Sequence, residues 1–173
     1  MLKTGVSAPA PVTCMRWSAD GLFLAIACSN HSAKVLQLSS TNQQVMMRDV
    51  QTVQVGGTEA TKALKLNAVC WNPTAPQFCF VGADKVMDIW HVRASKPAVR
   101  VETMGQNINV DWSPDGKFVA VGNRDDMVGV VDVAAGKMIA KVKFAVEVNE
   151  MAWSADGRHI LLAHGGHSCG GVK

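Results

Sequence analysis

Apolar and polar residues alternate in short bursts along this chain, and the clearest burst is Asn107–Asp132. Ile108, Val110 and Trp112 alternate with polar neighbours, the period of a half-buried strand. Ser113-Pro114-Asp115-Gly116 then reverses the chain, because proline presets φ and glycine accepts a positive φ. Phe118–Val121 is a short apolar run of the kind a doubly covered strand shows, Asn123–Asp126 is a second polar turn, and Met127–Val133 leads out as a third strand.

The same phrase recurs. Trp17, Trp71, Trp112 and Trp153 head comparable segments, spaced by 54, 41 and 41 residues. Trp-Ser-x-Asp-Gly follows at positions 17, 112 and 153, and Trp71-Asn72-Pro73-Thr74 is the variant. A period of ~40–45 residues is that of a four-stranded propeller blade. Met15, Val69, Val110 and Met151 occupy one slot, two residues before each tryptophan, and share its face. Arg16, Cys70, Asp111 and Ala152 point the other way. Second strands are expected at Leu22–Cys28, Phe78–Val81, Phe118–Val121 and Ile160–Ala163. Third strands are expected at Ala33–Leu38, Val86–Val92 and Met127–Val133, and fourth strands at Val45–Val55, Ala98–Glu102 and Lys137–Phe144. The longer first interval predicts an insertion at Ser39–Gln44 or Gly56–Lys62. No segment keeps a helical period over three turns, so the fold class is all-β. The repeats run over 12–55, 66–102, 107–144 and 148–173, the last cut short, and 1–11 is the candidate for a ring-closing strand. That makes an incomplete propeller arc of about three and a half blades. Closed propellers have typically 4–8 blades, so the chain reads as roughly the N-terminal half of one. An open arc exposes apolar surface at both ends and is expected to aggregate or remain molten alone.

Composition narrows the function classes. Apolar residues make up 48% of the 173-residue chain and charged residues 18%, below the ~25% usual in soluble domains. The longest clear apolar run, Leu22–Cys28, is far short of the ~20 residues a membrane helix needs. The apolar excess is therefore expected against protein. A net charge of +3, no tyrosine and 6% aromatics do not describe a dedicated nucleic-acid surface. Five cysteines without a C-x-x-C pair, four of them in predicted strands, read as buried thiols.

Trp-Ser-x-Asp-Gly, an apolar strand, a polar turn and a strand closing at Trp90-His91 or Val131-Asp132 resemble the WD-repeat family, although the Gly-His opener is missing. Within that family, Gly105–Asp132 with Phe144–Trp153 is similar to the propeller subunits of nuclear THO-type complexes. The resemblance implies a non-enzymatic scaffold that couples transcription to mRNA processing and export. The implied partners are other THO and transcription-export subunits, with RNA reached through the assembly, and neither membrane nor small-molecule substrate. An adaptor in another assembly, such as a ubiquitin ligase or chromatin complex, is the alternative that the same fold allows.

Chemistry-bearing clusters are few. His164-x-x-His167-x-Cys169 has no second ligand pair for zinc. Asp125 and Asp126 are adjacent, do not easily converge on one atom, and read as a solvated turn between second and third strands. No nucleophile elbow, P-loop or matched carboxylate pair is present, so no catalytic residue, cofactor or metal is expected. A propeller enzyme working in the central channel is disfavoured because the apolar and small residues of the second strands leave little polar machinery there. Loop residues Asp84, Lys85, Arg124, Asp125 and Asp126 are the candidate partner contacts. Arg93, Lys96, Arg100, Lys137, Lys141 and Lys143 flank outer strands, where cations discourage edge pairing and offer a salt-sensitive contact to RNA.

Overall fold

The computed structural model describes residues 7–41, 44–54 and 65–165. Fourteen strands and no helix occur among them. The first blade is β1 (Val12–Trp17), β2 (Phe23–Cys28), β3 (Ser32–Thr41) and β4 (Gln44–Gln54). The second is β5 (Leu66–Trp71), β6 (Gln77–Gly82), β7 (Val86–His91) and β8 (Val99–Glu102). The third is β9 (Asn107–Trp112), β10 (Phe118–Asn123), β11 (Met127–Asp132) and β12 (Lys137–Lys143). Each is an antiparallel sheet with its strands in chain order, and β13 (Glu147–Trp153) pairs with β14 (Ile160–Gly165) as a two-stranded fourth unit. The sheets form an open series of WD-type blades.

Strand bounds shift slightly from those expected. Leu22 is 48% exposed and stays in the turn, because its N–H is held by the Asp20 carboxylate, so the second strand starts at Phe23. Part of the first-repeat insertion is a longer β3–β4 hairpin that takes in Ser39–Thr41. The other expected site, Gly56–Lys62, lies outside the described residues, as do residues 1–6 of the N-terminal segment.

Why the blades stack follows from the alternation. In blades two and three, Val69, Trp71 and Trp112 bury the face that looks back along the chain. The cluster between blades one and two packs Trp71, Phe78, Phe80 and Leu66 onto Ala25, Ala27 and Val35. Small residues on one side receive large aromatics from the other. Trp71 stacks on Phe23 with ring centroids 6.0 Å apart, and Phe78 meets it edge-on at 5.1 Å. Between blades two and three, Trp112, Val119 and Val121 close on Cys79, Val81, Met87 and Ile89. Val148, Met151, Trp153 and Leu162 repeat the arrangement against Ala120 and Val128 of blade three.

Among the described residues, no sheet packs on the leading face of blade one. Met15 is 54% and Trp17 49% exposed, whereas Trp112, in the equivalent slot, is 4% exposed. Burial therefore depends on the neighbour rather than on the repeat. Trp112→Ala is expected to cost about 3–5 kcal/mol in urea unfolding, and Trp17→Ala within about 1 kcal/mol. Trp17→Arg should also reduce self-association, measured by sedimentation velocity, without lowering the urea midpoint.

Candidate functional site

Two kinds of turn occupy opposite ends of each blade. At the end where first and second strands join, a serine organises the chain. Ser113 Oγ accepts the Phe118 N–H at 2.9 Å and donates to Asp115 at 2.7 Å, while the carboxylate accepts the Lys117 N–H. Ser18 with Asp20 and Ser154 with Asp156 repeat this geometry. The serine hydroxyl, then the backbone N–H, holds each of Asp20, Asp115 and Asp156 below the ordinary carboxylate range. The turn of blade two substitutes Asn72, whose Oδ1 accepts both the N–H and the hydroxyl of Thr74 at 2.9 Å. Gly116 adopts φ +72°, and its turn lies so close to Asn72 and Thr74 that a Cβ would collide with both.

At the other end lie the turns between second and third strands, where the candidate contact residues fall. Lys85, Arg124 and Asp125 are exposed. Asp126 is half-buried with φ 58°, and its Oδ1 accepts the Val148 N–H at 3.2 Å, tying blade three to blade four. Asp125 and Asp126 thus point to different surroundings. The Asp84 residue is only 9% exposed, and its carboxylate lies 3.4 Å from His31 Nε2 of blade one. His31, 1% exposed with φ 60°, is a residue the sequence did not single out. Its partner lies 53 positions away, and only blade stacking brings the pair together.

Beneath this rim, buried side-chain amides lock the blades. Asn107 is fully buried, and its Nδ2 donates to the carbonyls of Gly82 and Asp84 and to the Thr103 hydroxyl at 2.9–3.2 Å. Asn123 accepts the N–H groups of Asp125 and Met127 and donates to the Gly105 carbonyl. Asn67 Nδ2 reaches the Asn107 carbonyl at 2.7 Å, and Asn109 Nδ2 reaches the Asn149 carbonyl at 2.8 Å. These bonds run between innermost strands, each of which carries one extra residue at the same place: Thr13, Asn67, Ile108 and Asn149.

The basic residues divide. Arg100 clasps the fully buried Asp88 carboxylate through two bonds of 2.7 Å, which push the guanidinium pKa up. Arg93 Nη2 donates to Gln37 at 2.8 Å, and its backbone N–H to Gln51, so it binds blade two to blade one. Lys96, Lys137, Lys141 and Lys143 remain exposed. Burial, with Asp111 beside it, pushes the Cys70 thiol up to about 12, and burial raises its cross-strand neighbour Cys79 well above the ordinary range. Neither is set up as a nucleophile. Among the described residues no three His, Cys, Asp or Glu side chains gather as a metal site. His167 and Cys169 lie outside those residues.

A stacked series of four-stranded blades, serine-anchored turns and loops on two rims defines a WD-repeat protein of the β-propeller class. A family model described as eukaryotic translation initiation factor eIF2A matches residues 10–166, and the chain belongs to that family. It is 32% identical over 135 residues to THO complex subunit 3 of Arabidopsis thaliana, which covers 78% of this chain and 40% of the relative. It is 30% identical over 116 residues to the WD repeat-containing protein AAC3 of Dictyostelium discoideum, covering 66% of this chain and 23% of that protein. A shorter match, 47% over 32 residues, is to the UBP9-binding protein bun62 of Schizosaccharomyces pombe, covering 18% of this chain and 6% of that protein. The chain therefore spans less than half the length of these relatives.

Removing the Asn107 amide leaves two carbonyls and a hydroxyl unpaired in the interior. Asn107→Ala should cost about 2–3 kcal/mol in denaturant unfolding, with hydrogen exchange rising first at Asp84 and Thr103. The turn aspartates give a pH dependence whose sign follows from their depressed pKa values. Their contribution is complete above the unfolded value of ~3.9 and is lost as pH falls through the lower folded values. Replacing Asp20, Asp115 and Asp156 together by Asn should flatten the acid limb of a fluorescence-monitored unfolding curve below about pH 4.

Proposed function

We propose that this chain is part of a non-enzymatic scaffold subunit in a THO-like nuclear assembly that couples transcription to mRNA processing and export. The likeness to THO complex subunit 3 across most of the chain carries this reading. It draws support from a framework whose polar side chains serve turns and blade junctions and leave loop tips for contact. Lys85, Arg124 and Asp125 are its outward contacts with other subunits, and Asp84 and Asp126 hold the turns that present them. RNA is reached through the assembly, with the exposed Lys137, Lys141 and Lys143 as an auxiliary electrostatic contact. Neither a membrane nor a small-molecule substrate enters the reading.

Likeness to relatives outside THO complexes, the WD repeat-containing protein AAC3 and the UBP9-binding protein bun62, favours a second reading, an adaptor in another nuclear or cytoplasmic assembly such as a ubiquitin ligase or chromatin complex. Affinity purification of the tagged native protein from nuclear and cytoplasmic fractions separates the two. THO subunits should co-purify from the nuclear fraction, and Arg124→Glu with Asp125→Lys should reduce their recovery several-fold while the protein stays folded. Recovery of other assemblies with no THO subunit overturns the first reading.

A further inference from the structure

Among the described residues the turn of blade three sits closely on that of blade two, whereas a cleft separates the turns of blades one and two. The residue four positions after each blade-heading tryptophan is Gly21, Ala75, Gly116 and Gly157. Gly116 sits tightly on the turn of blade two, with its carbonyl 3.4 Å from Asn72 Nδ2, and a Cβ at Gly157 would stand in ordinary contact with Pro114, 3.6 Å away. Blade two has alanine at that position, flanked by Pro73 and Pro76, and there a cleft of about 330 Å³ opens, lined by Ser18, Asp20, Phe23, Trp71, Pro73 and Pro76.

The chemistry of this cleft is asymmetric. Its floor is the Phe23–Trp71 stack. Prolines on one wall have no N–H to offer a ligand. Asn72 is fully engaged, accepting twice from Thr74 and donating to Gln77 and the Gly116 carbonyl. Asp20 is the one charged residue in the lining, and it is exposed. Ser18 and the Leu22 N–H both bond its Oδ1, so the carboxylate is oriented and Oδ2 has no partner among the described residues. A fixed carboxylate beside an aromatic floor repels phosphate and carboxylate ligands and attracts a cation joined to apolar bulk.

We propose that this cleft docks an extended peptide segment of a partner protein, placing an apolar side chain on Trp71 and Phe23 and an adjacent lysine or arginine against Asp20. The site lies on the rim opposite Lys85, Arg124 and Asp125 and is independent of the function proposed above. It sits between two complete blades of one chain, so it needs no further blade to form its walls.

The test is photo-crosslinking of the full chain, at low protein concentration, with the capped pentapeptide Gly-Leu-Lys-Leu-Gly carrying photo-leucine, against its Glu-for-Lys counterpart. Mass spectrometry should place adducts on Ala19–Leu22 and Asn72–Pro76 with the lysine peptide and leave the glutamate peptide unattached. Asp20→Asn, which can keep the bonds from Leu22 and Ser18, should lower adduct yield about tenfold, the loss expected when a charge-assisted hydrogen bond is removed. Ala19→Arg, an exposed position that brings an internal cation to Asp20, should have the same effect, with circular dichroism unchanged for both variants. Equal labelling by the two peptides, adducts elsewhere, yield indifferent to Asp20→Asn, or crosslinks showing the chain's own residues in the cleft would each overturn the proposal.

Discussion

The structure depends on burial of one tryptophan-bearing face of each sheet against the small-residue face of the sheet before it. A single four-stranded sheet of this composition cannot cover both of its faces. Trp71 on Ala25 and Ala27 pairs bulk with space, whereas Trp112 meets a face of Cys79, Val81, Met87 and Ile89. At Trp17, which no sheet among the described residues covers, an equivalent side chain lies half in water.

Polar groups then set the angle and register of the stack. Apolar contact alone tolerates sliding, whereas a buried amide does not, because each unmade bond in the interior is costly. Asn107 gathers carbonyls from one blade edge, and Asn67 and Asn109 carry bonds from one innermost strand to the next. The extra residue in each innermost strand turns these amides toward the neighbouring blade. Asp88 with Arg100 acts within blade two instead, tying its third strand to its fourth, because a carboxylate with no exposure requires a bidentate partner. The result is a stack of blades with fixed register and turns at two rims.

Much of the architecture was legible in the residues. The tryptophan spacing identified the repeats, and period-two alternation located the strands to within a residue or two at most ends. The Ser-x-Asp-Gly phrase announced turns whose serine and aspartate hydrogen bonds are local, within five positions. Leu22 was misplaced into a strand because its hydrophobicity outweighed the nearby Asp20 bond that keeps it in the turn. The loop residues fared unevenly. Their position on a rim followed from the repeat, but Asp84, buried opposite His31, and Asp126, bonded to Val148, are junction residues as much as surface ones.

The sequence by itself determined what local forces decide: all-β character, turn chemistry and the face each strand buries. Only the tertiary structure decided which of the equivalent tryptophans are covered, that His31 meets Asp84, that Arg100 is committed to Asp88, and that a cleft opens beside Ala75. Each of these depends on groups brought together by pairing or stacking of strands. Such contacts leave no periodic signature along the chain, because their geometry exists only once the sheets have packed.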